Sequence, residues 1–236
     1  MLTTPPTARL CSERTRGKSS SRVTAAAWAT NQKRRRWQEL ARRRARLATR
    51  ALAHAGARSV LGVDTAPSMI EIAGKRTDRN LPISWRVDDA VSLSSCQDAS
   101  FDGVSCQLGL MDIDDLEATL QSIRRVLKPG GWFVFVISHP AFLAPHAITA
   151  PGRDGREGRL ANRYFESEFW RSDNPHGIRG RAGNYHRPLS VYLNTLVTAG
   201  LRLEEAMEPR ASRQLAEQQP VYQHVPIFFA ARAIAT

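Results

Sequence analysis

Cysteine is scarce. The chain has three, Cys11, Cys96 and Cys106, an odd number in no close-spaced pair. That argues against a disulfide framework or a zinc site and fits a reducing, cytoplasmic setting. Long apolar runs are also missing: none approaches the ~18 residues a membrane span requires, so none is expected. Acid is lacking in one region only. Residues 1–50 hold 14 of the 34 Lys/Arg but two of the 22 Asp/Glu, whereas residues 51–236 hold 20 of each. The net charge of +12 therefore lies wholly in the first 50 residues, and the remainder is neutral. A basic surface for nucleic acid is expected at most of the tail, not of the folded part.

The tail admits several readings. Its first part, MLTTPPTARLCSERTRGKSSSR, is polar and without helix or strand period, which favours disorder. KRRRWQELARRRARLATR could form a basic helix that grips phosphates or an anionic membrane surface. The Arg-rich, acid-poor composition also fits a transit peptide. With 236 residues and 42% apolar content, the rest is large enough for one α/β domain.

From Leu47 the pattern is regular. Leu47, Ala48, Ala51, Leu52 and Ala55 recur at helical spacing, and Gly56 suits the helix end. Ser59 to Val63 reads as a buried strand with Asp64 at its end, then a helix opened by Pro67. PISWRV, running into Asp88, Asp89 and Ala90, is a second strand, and FDGVSCQ, Phe101 to Gln107, a third. Ile113 to Lys128 is an amphipathic helix, with acids in its first turn and cations in its last. KPGG, 128–131, turns the chain into the apolar strand Trp132–Ser138. Residues 140–186 lose this rhythm. They carry two glycine triplets and Tyr164, Phe165, Phe169 and Trp170, as expected of a lid or substrate insertion. A helix over 187–199 and two late strands close the chain.

Alternating strands and helices predict an α/β fold: a Rossmann-like, doubly wound sheet, mostly parallel, with an antiparallel C-terminal edge. Ligands of such sheets sit beyond the carboxyl ends of the strands. Asp64, Asp89, Gln107 and His139 all fall at such ends.

The runs VLGVDTAPSMIEIA, VDDA and FDGVSCQLGLMDIDDLEATLQSIRRVLKPGGWFVFVISHP together resemble the class I S-adenosylmethionine-dependent methyltransferases, of the small-molecule, ubiquinone/biotin-pathway-like (type 11) group. GNYHRPLSVYLNTLVTAGL resembles the tail of a bacterial branch, so the likeness covers residues 47–236. It implies S-adenosylmethionine as cofactor. Asp64, with Thr65 beside it, would hold the ribose hydroxyls; a carboxylate can accept both O–H bonds. Met69 would pack on the adenine, and Asp89 would accept from its amino group beside the Ala90 backbone, with Asp88 the competitor one residue away. Gln107 and Leu108 would meet the methionine end.

One part of the family pattern is missing. The glycine-rich loop after the first strand should fall at about 41–47, where the sequence reads ARRRARL, and no apolar first strand precedes it. Residues 1–46 thus read as a basic extension, disordered or translated from a wrong frame or misplaced start, with the first strand absent.

Methyl transfer is an in-line displacement that needs alignment and, for some acceptors, a base. His139 and His186 are the candidate bases. Tyr164, Trp170 and Tyr185 would wall the acceptor pocket, and Arg187 could hold an anionic group on the acceptor. The expected activity is methyl transfer to a small molecule. The alternatives are an impaired methyltransferase-like protein without the cofactor loop, and an RNA methyltransferase using the basic tail.

Overall fold

The computed structural model describes residues 48–236 apart from 174, 175, 177, 178, 181 and 182. The extension 1–46 and the expected glycine-loop position lie outside the described residues. A helical stretch over 48–54 ends at Gly56, whose φ of +93° is left-handed backbone that a side chain disfavours. Strand β1, Val60–Asp64, follows, then helix α1, Pro67–Lys75, with its proline in the first turn. Strand β2, Ile83–Val87, pairs with β1 in parallel.

Strand β3 is Phe101–Gln107. A 3-10 turn, Leu110–Asp112, leads to helix α2, Leu116–Val126, capped by the Asp115 carboxylate accepting the Ala118 N–H at 2.8 Å. Strand β4, Leu127–Ser138, is parallel to β3. It contains the KPGG segment, which the sequence pattern placed before the strand. Leu127 already pairs with Phe101, and pairing resumes at Gly103 and Trp132, so residues 128–131 bulge out of the ladder. Gly130 makes that bulge with φ +73°.

The segment without sequence rhythm folds as two small antiparallel ladders. Strand β5, Ile148–Pro151, pairs with β6, Glu157–Leu160; β7, Glu168–Trp170, pairs with β8, Asn184–His186. Helix α3, Leu189–Thr198, and strand β9, Leu201–Met207, come next. A short helix α4, Arg213–Gln218, is an element the sequence pattern did not indicate. Strand β10, Phe228–Ala235, lies antiparallel between β4 and β9, giving the order β3-β4-β10-β9 with the expected antiparallel edge.

Among the described residues, β1 pairs only with β2, and β3 is joined only to β4. Side chains hold the two sheets together. Leu61 and Val63 share one buried cluster with Val104, Cys106, Leu120, Ile123, Phe133 and Phe135. On the other face Leu52, Ala53 and Val60 pack with Trp132. Two tryptophans lie over glycines on the neighbouring strand: a Cβ on Gly62 would sit 2.2 Å from the Trp85 ring, and one on Gly103 2.0 Å from the Trp132 ring. This is close packing that only glycine permits.

Candidate functional site

The carboxyl ends of β1, β2, β3 and β4 each carry polar residues, which together make the candidate rim. Asp64 ends β1 and is buried; its Oδ1 accepts the Ala66 N–H at 2.8 Å, which fixes the turn into α1. Thr65 follows, and its Oγ1 is buried without a hydrogen-bond partner. An orphaned hydroxyl costs free energy unless a ligand satisfies it. Met69, one turn into α1, is buried below.

Beyond β2 the structure separates two neighbouring acids that the sequence left in competition. Asp88 faces inward. Its carboxylate accepts from the Asp89 N–H at 2.8 Å, Ser94 Oγ at 3.1 Å, Ser95 N–H at 2.9 Å and Ser95 Oγ at 2.5 Å. Burial alone would raise its pKa, but the bonds from Ser95, Asp89 and Ser94 outweigh this and hold it below the usual carboxylate range. Asp89 is exposed, with Oδ1 accepting only the Val91 N–H at 3.0 Å. Of the two, Asp89 has a carboxylate to offer a ligand. Ala90 beside it is buried.

At β3, Gln107 is half-buried, and Leu108 turns the chain with φ +56°, a costly left-handed conformation for leucine. Its N–H donates to Val136 O at 2.7 Å, so the rim bends without leaving the ladder abruptly.

The two histidines differ. The His139 Nδ1 accepts the Ala141 N–H at 3.2 Å, so the ring proton is on Nε2, which donates to Glu208 Oε1 at 2.8 Å. Both nitrogens are engaged, and the ring pins the turn after β4. His186 donates from Nε2 to the Tyr164 carbonyl at 2.9 Å, which leaves the Nδ1 lone pair unengaged. Burial lowers its pKa, so it is neutral at pH 7.

The insertion reaches the rim because β8 packs against the 3-10 turn after β3. On one face of β8, His186 meets Tyr164, with ring centroids 6.0 Å apart, and Tyr164 Oη accepts the Leu189 N–H at 2.8 Å at the start of α3. On the other face, Tyr185 lies 5.0 Å from Phe169 and 5.1 Å from the Arg187 guanidinium. Trp170 is half-buried under Arg179, 5.8 Å from its ring. Sequence reasoning did not find Glu208, nor the Ile113 and Asp114 carbonyls that hold Arg187. Carbonyl partners leave no sequence signal. A cavity of about 380 Å³ lined by Ser59, Leu61, Ser84, Arg86 and Cys96 opens at the opposite, amino-terminal strand ends and is not part of this rim.

The methyltransferase domain family matches residues 45–135, which hold Asp64, Thr65, Asp89 and Gln107. Those residues are similar to a methyltransferase domain over about two fifths of the chain. A crystal structure of an S-adenosylmethionine-dependent methyltransferase from Mesorhizobium loti superposes with TM-score 0.72 at 21% identity, over 97% of this chain and 96% of that one. The described residues thus share the Rossmann-like fold of that methyltransferase. A demethylmenaquinone methyltransferase of Tropheryma whipplei is 37% identical over 99 residues, 41% of this chain and 40% of its own. A ubiquinone biosynthesis O-methyltransferase of Xanthomonas oryzae is 31% identical over 86 residues, 36% of each chain. The chain spans about two fifths of the length of these curated relatives.

Proposed function

We propose that the protein transfers a methyl group from S-adenosylmethionine to a small-molecule acceptor. The observation that carries this reading is the rim itself. Buried Asp64, the orphaned Thr65 hydroxyl, outward-facing Asp89 and half-buried Gln107 stand at the carboxyl ends of three strands within the matched methyltransferase domain. The donor set fits the cofactor: Asp64 and Thr65 would hold its ribose, Asp89 its adenine amino group with Met69 beneath, and Gln107 its amino-acid end. S-adenosylmethionine, when bound, supplies an electrophilic methyl on a sulfonium.

The chain's own residues then align the acceptor and exclude water. Tyr164 and Tyr185 belong to the insertion, on opposite faces of β8, and with Trp170 form the acceptor side around the end of that strand. His186 accepts the acceptor's proton at Nδ1; burial keeps the imidazole neutral and ready for it. His139 instead fixes the turn after β4, because Ala141 and Glu208 occupy both of its nitrogens. The relatives' names point to quinone-type acceptors, but the insertion lies beyond the matched domain, so the acceptor of this chain is set by its own residues 140–187.

Among the described residues no helix is long and apolar enough to cross a membrane. Cys96 and Cys106 are buried free thiols, which suits a reducing cytoplasm.

The test is calorimetry with S-adenosylhomocysteine on the full chain and on Asp64→Ala. Binding to the first that is lost in the second supports the proposal. No binding to the full chain favours a protein with the methyltransferase fold but no cofactor site.

A further inference from the structure

Arg187 is 9% exposed, a buried cation at the junction of the insertion and α3. Its Nη2 donates to the carbonyls of Ile113, at 2.9 Å, and Asp114. Its plane lies over the Tyr185 ring. Its Nη1 is buried and has no hydrogen-bond partner. Asp112 and Asp114 are near enough to raise the pKa of Tyr192 and Tyr185, effects secondary to the burial of those rings, and Arg187 acts on both rings in the opposite direction. The partners of Arg187 are thus two backbone carbonyls, the Tyr185 ring and the Tyr192 hydroxyl, and none of them meets Nη1.

A buried guanidinium donor left without an acceptor is costly. Here Nη2 anchors the group to the turn after β3, the rim strand, and Nη1 is the donor left over. Tyr185 and Phe169 supply an aromatic wall on the same side of β8.

We infer that Arg187 receives an anionic oxygen of the acceptor, so that the substrate class is an aromatic or flat apolar molecule bearing a carboxylate or phosphate. The inference rests on the acceptor side assigned above. An anionic partner at Nη1 would convert an unpaired buried donor into a charge-assisted bond, which favours the anion over its neutral isostere by about tenfold or more.

The experiment uses the full chain and two matched probe pairs, benzoate against benzamide and phenyl phosphate against phenol. Affinities are measured by calorimetry with and without S-adenosylhomocysteine. The expected result is a preference of at least about tenfold for the anion in one pair. Preference within the benzoate pair alone identifies a carboxylate site, and within the phenyl phosphate pair alone a phosphate site. Arg187→Met should erase the preference while leaving benzamide and phenol binding in place, and Arg187→Lys should keep part of it. Equal affinity within both pairs, or a preference that survives Arg187→Met, overturns the inference. Should Arg187→Met fail to fold, the wild-type pairs and Arg187→Lys still decide. S-adenosylhomocysteine binding in the same samples reports separately on the methyltransferase reading.

Discussion

Asp88 and Asp89 are adjacent, identical in chemistry and opposite in environment, so substituting each should give opposite results. Asp88→Ala removes four hydrogen bonds to a buried carboxylate and leaves the Ser95 and Asp89 N–H groups without their acceptor. Bonds to a charged group contribute roughly 1.5–3 kcal/mol each and are not additive when they share one acceptor. The expected loss is about 3–5 kcal/mol, read as a lower midpoint in urea denaturation. Asp89→Ala removes one bond from an exposed side chain and should cost less than about 1 kcal/mol. It should instead weaken S-adenosylhomocysteine binding in calorimetry, by about tenfold or more for one charge-assisted bond. The pH dependence follows the same division. The folded-state pKa of Asp88 is lowered, so its contribution is complete above the ordinary aspartate value, about 4, and disappears as pH falls through the lowered one. The acid limb of the stability curve should flatten in Asp88→Ala and persist in Asp89→Ala. If Asp88→Ala folds with wild-type stability but no longer binds, the roles have been assigned the wrong way round.

Other substitutions test the fold around the rim. Gly103→Ala should destabilise by about 1–3 kcal/mol, because the new methyl meets the Trp132 ring; Gly103→Ala/Trp132→Leu should recover part of that in thermal denaturation. Tyr164→Phe should lose about 0.5–2 kcal/mol, since the hydroxyl that accepts the Leu189 N–H at the start of α3 is gone. His186 has a pKa below its ordinary value of about 6.5, so the unfolded chain takes up a proton first as pH falls. Stability should therefore be full above about pH 6.5 and decline toward the lowered folded-state value, and His186→Gln should flatten that decline. Hydrogen exchange should alternate along β1. The N–H groups of Gly62 and Asp64 point to β2, as the bonds Val60 N to Pro82 O and Asp88 N to Asp64 O fix, and those of Leu61 and Val63 point the other way. Equal protection of all four would mean that a further strand pairs with the open edge.

Much of this was legible in the sequence. Phe101–Gln107 was bounded to the residue, set off by the polar loop before it. Asp64 and Asp89 stood out because an acid at the end of a buried strand is hard to explain by packing. The choice between Asp88 and Asp89 was not legible: it depends on where Ser94 and Ser95 return, six and seven residues later. The bulge at 128–131 was hidden because Pro-Gly-Gly reads as a turn whether or not the flanking residues pair. The ladders of residues 148–186 were missed because strands of three or four residues are too short to show a period. Nor does any residue pattern tell that His139 has both nitrogens engaged and His186 only one; that follows from Ala141, Glu208 and the Tyr164 carbonyl.

The proposed site draws its residues from two sheets. Asp64 and Asp89 depend on β1 and β2, Gln107 and the Arg187 anchor on β3 and the turn after it. Hydrogen-bond ladders fix distances within each pair of strands, but no described ladder joins β1 to β3, so the spacing across the rim is set by side-chain packing of Leu61 and Val63 against Val104 and Cys106. Side-chain packing constrains such a distance less tightly than a ladder would. A ligand that touches Asp64 at one end and Gln107 at the other supplies the missing cross-link. Its binding free energy then adds to the cohesion of the two sheets, by RT ln(1 + [L]/Kd), about 2.7 kcal/mol at a hundredfold excess over Kd. A cofactor bound this way stabilises the very geometry it needs, and the protein should gain more order at β1 and β3 than at the already paired β4, β9 and β10.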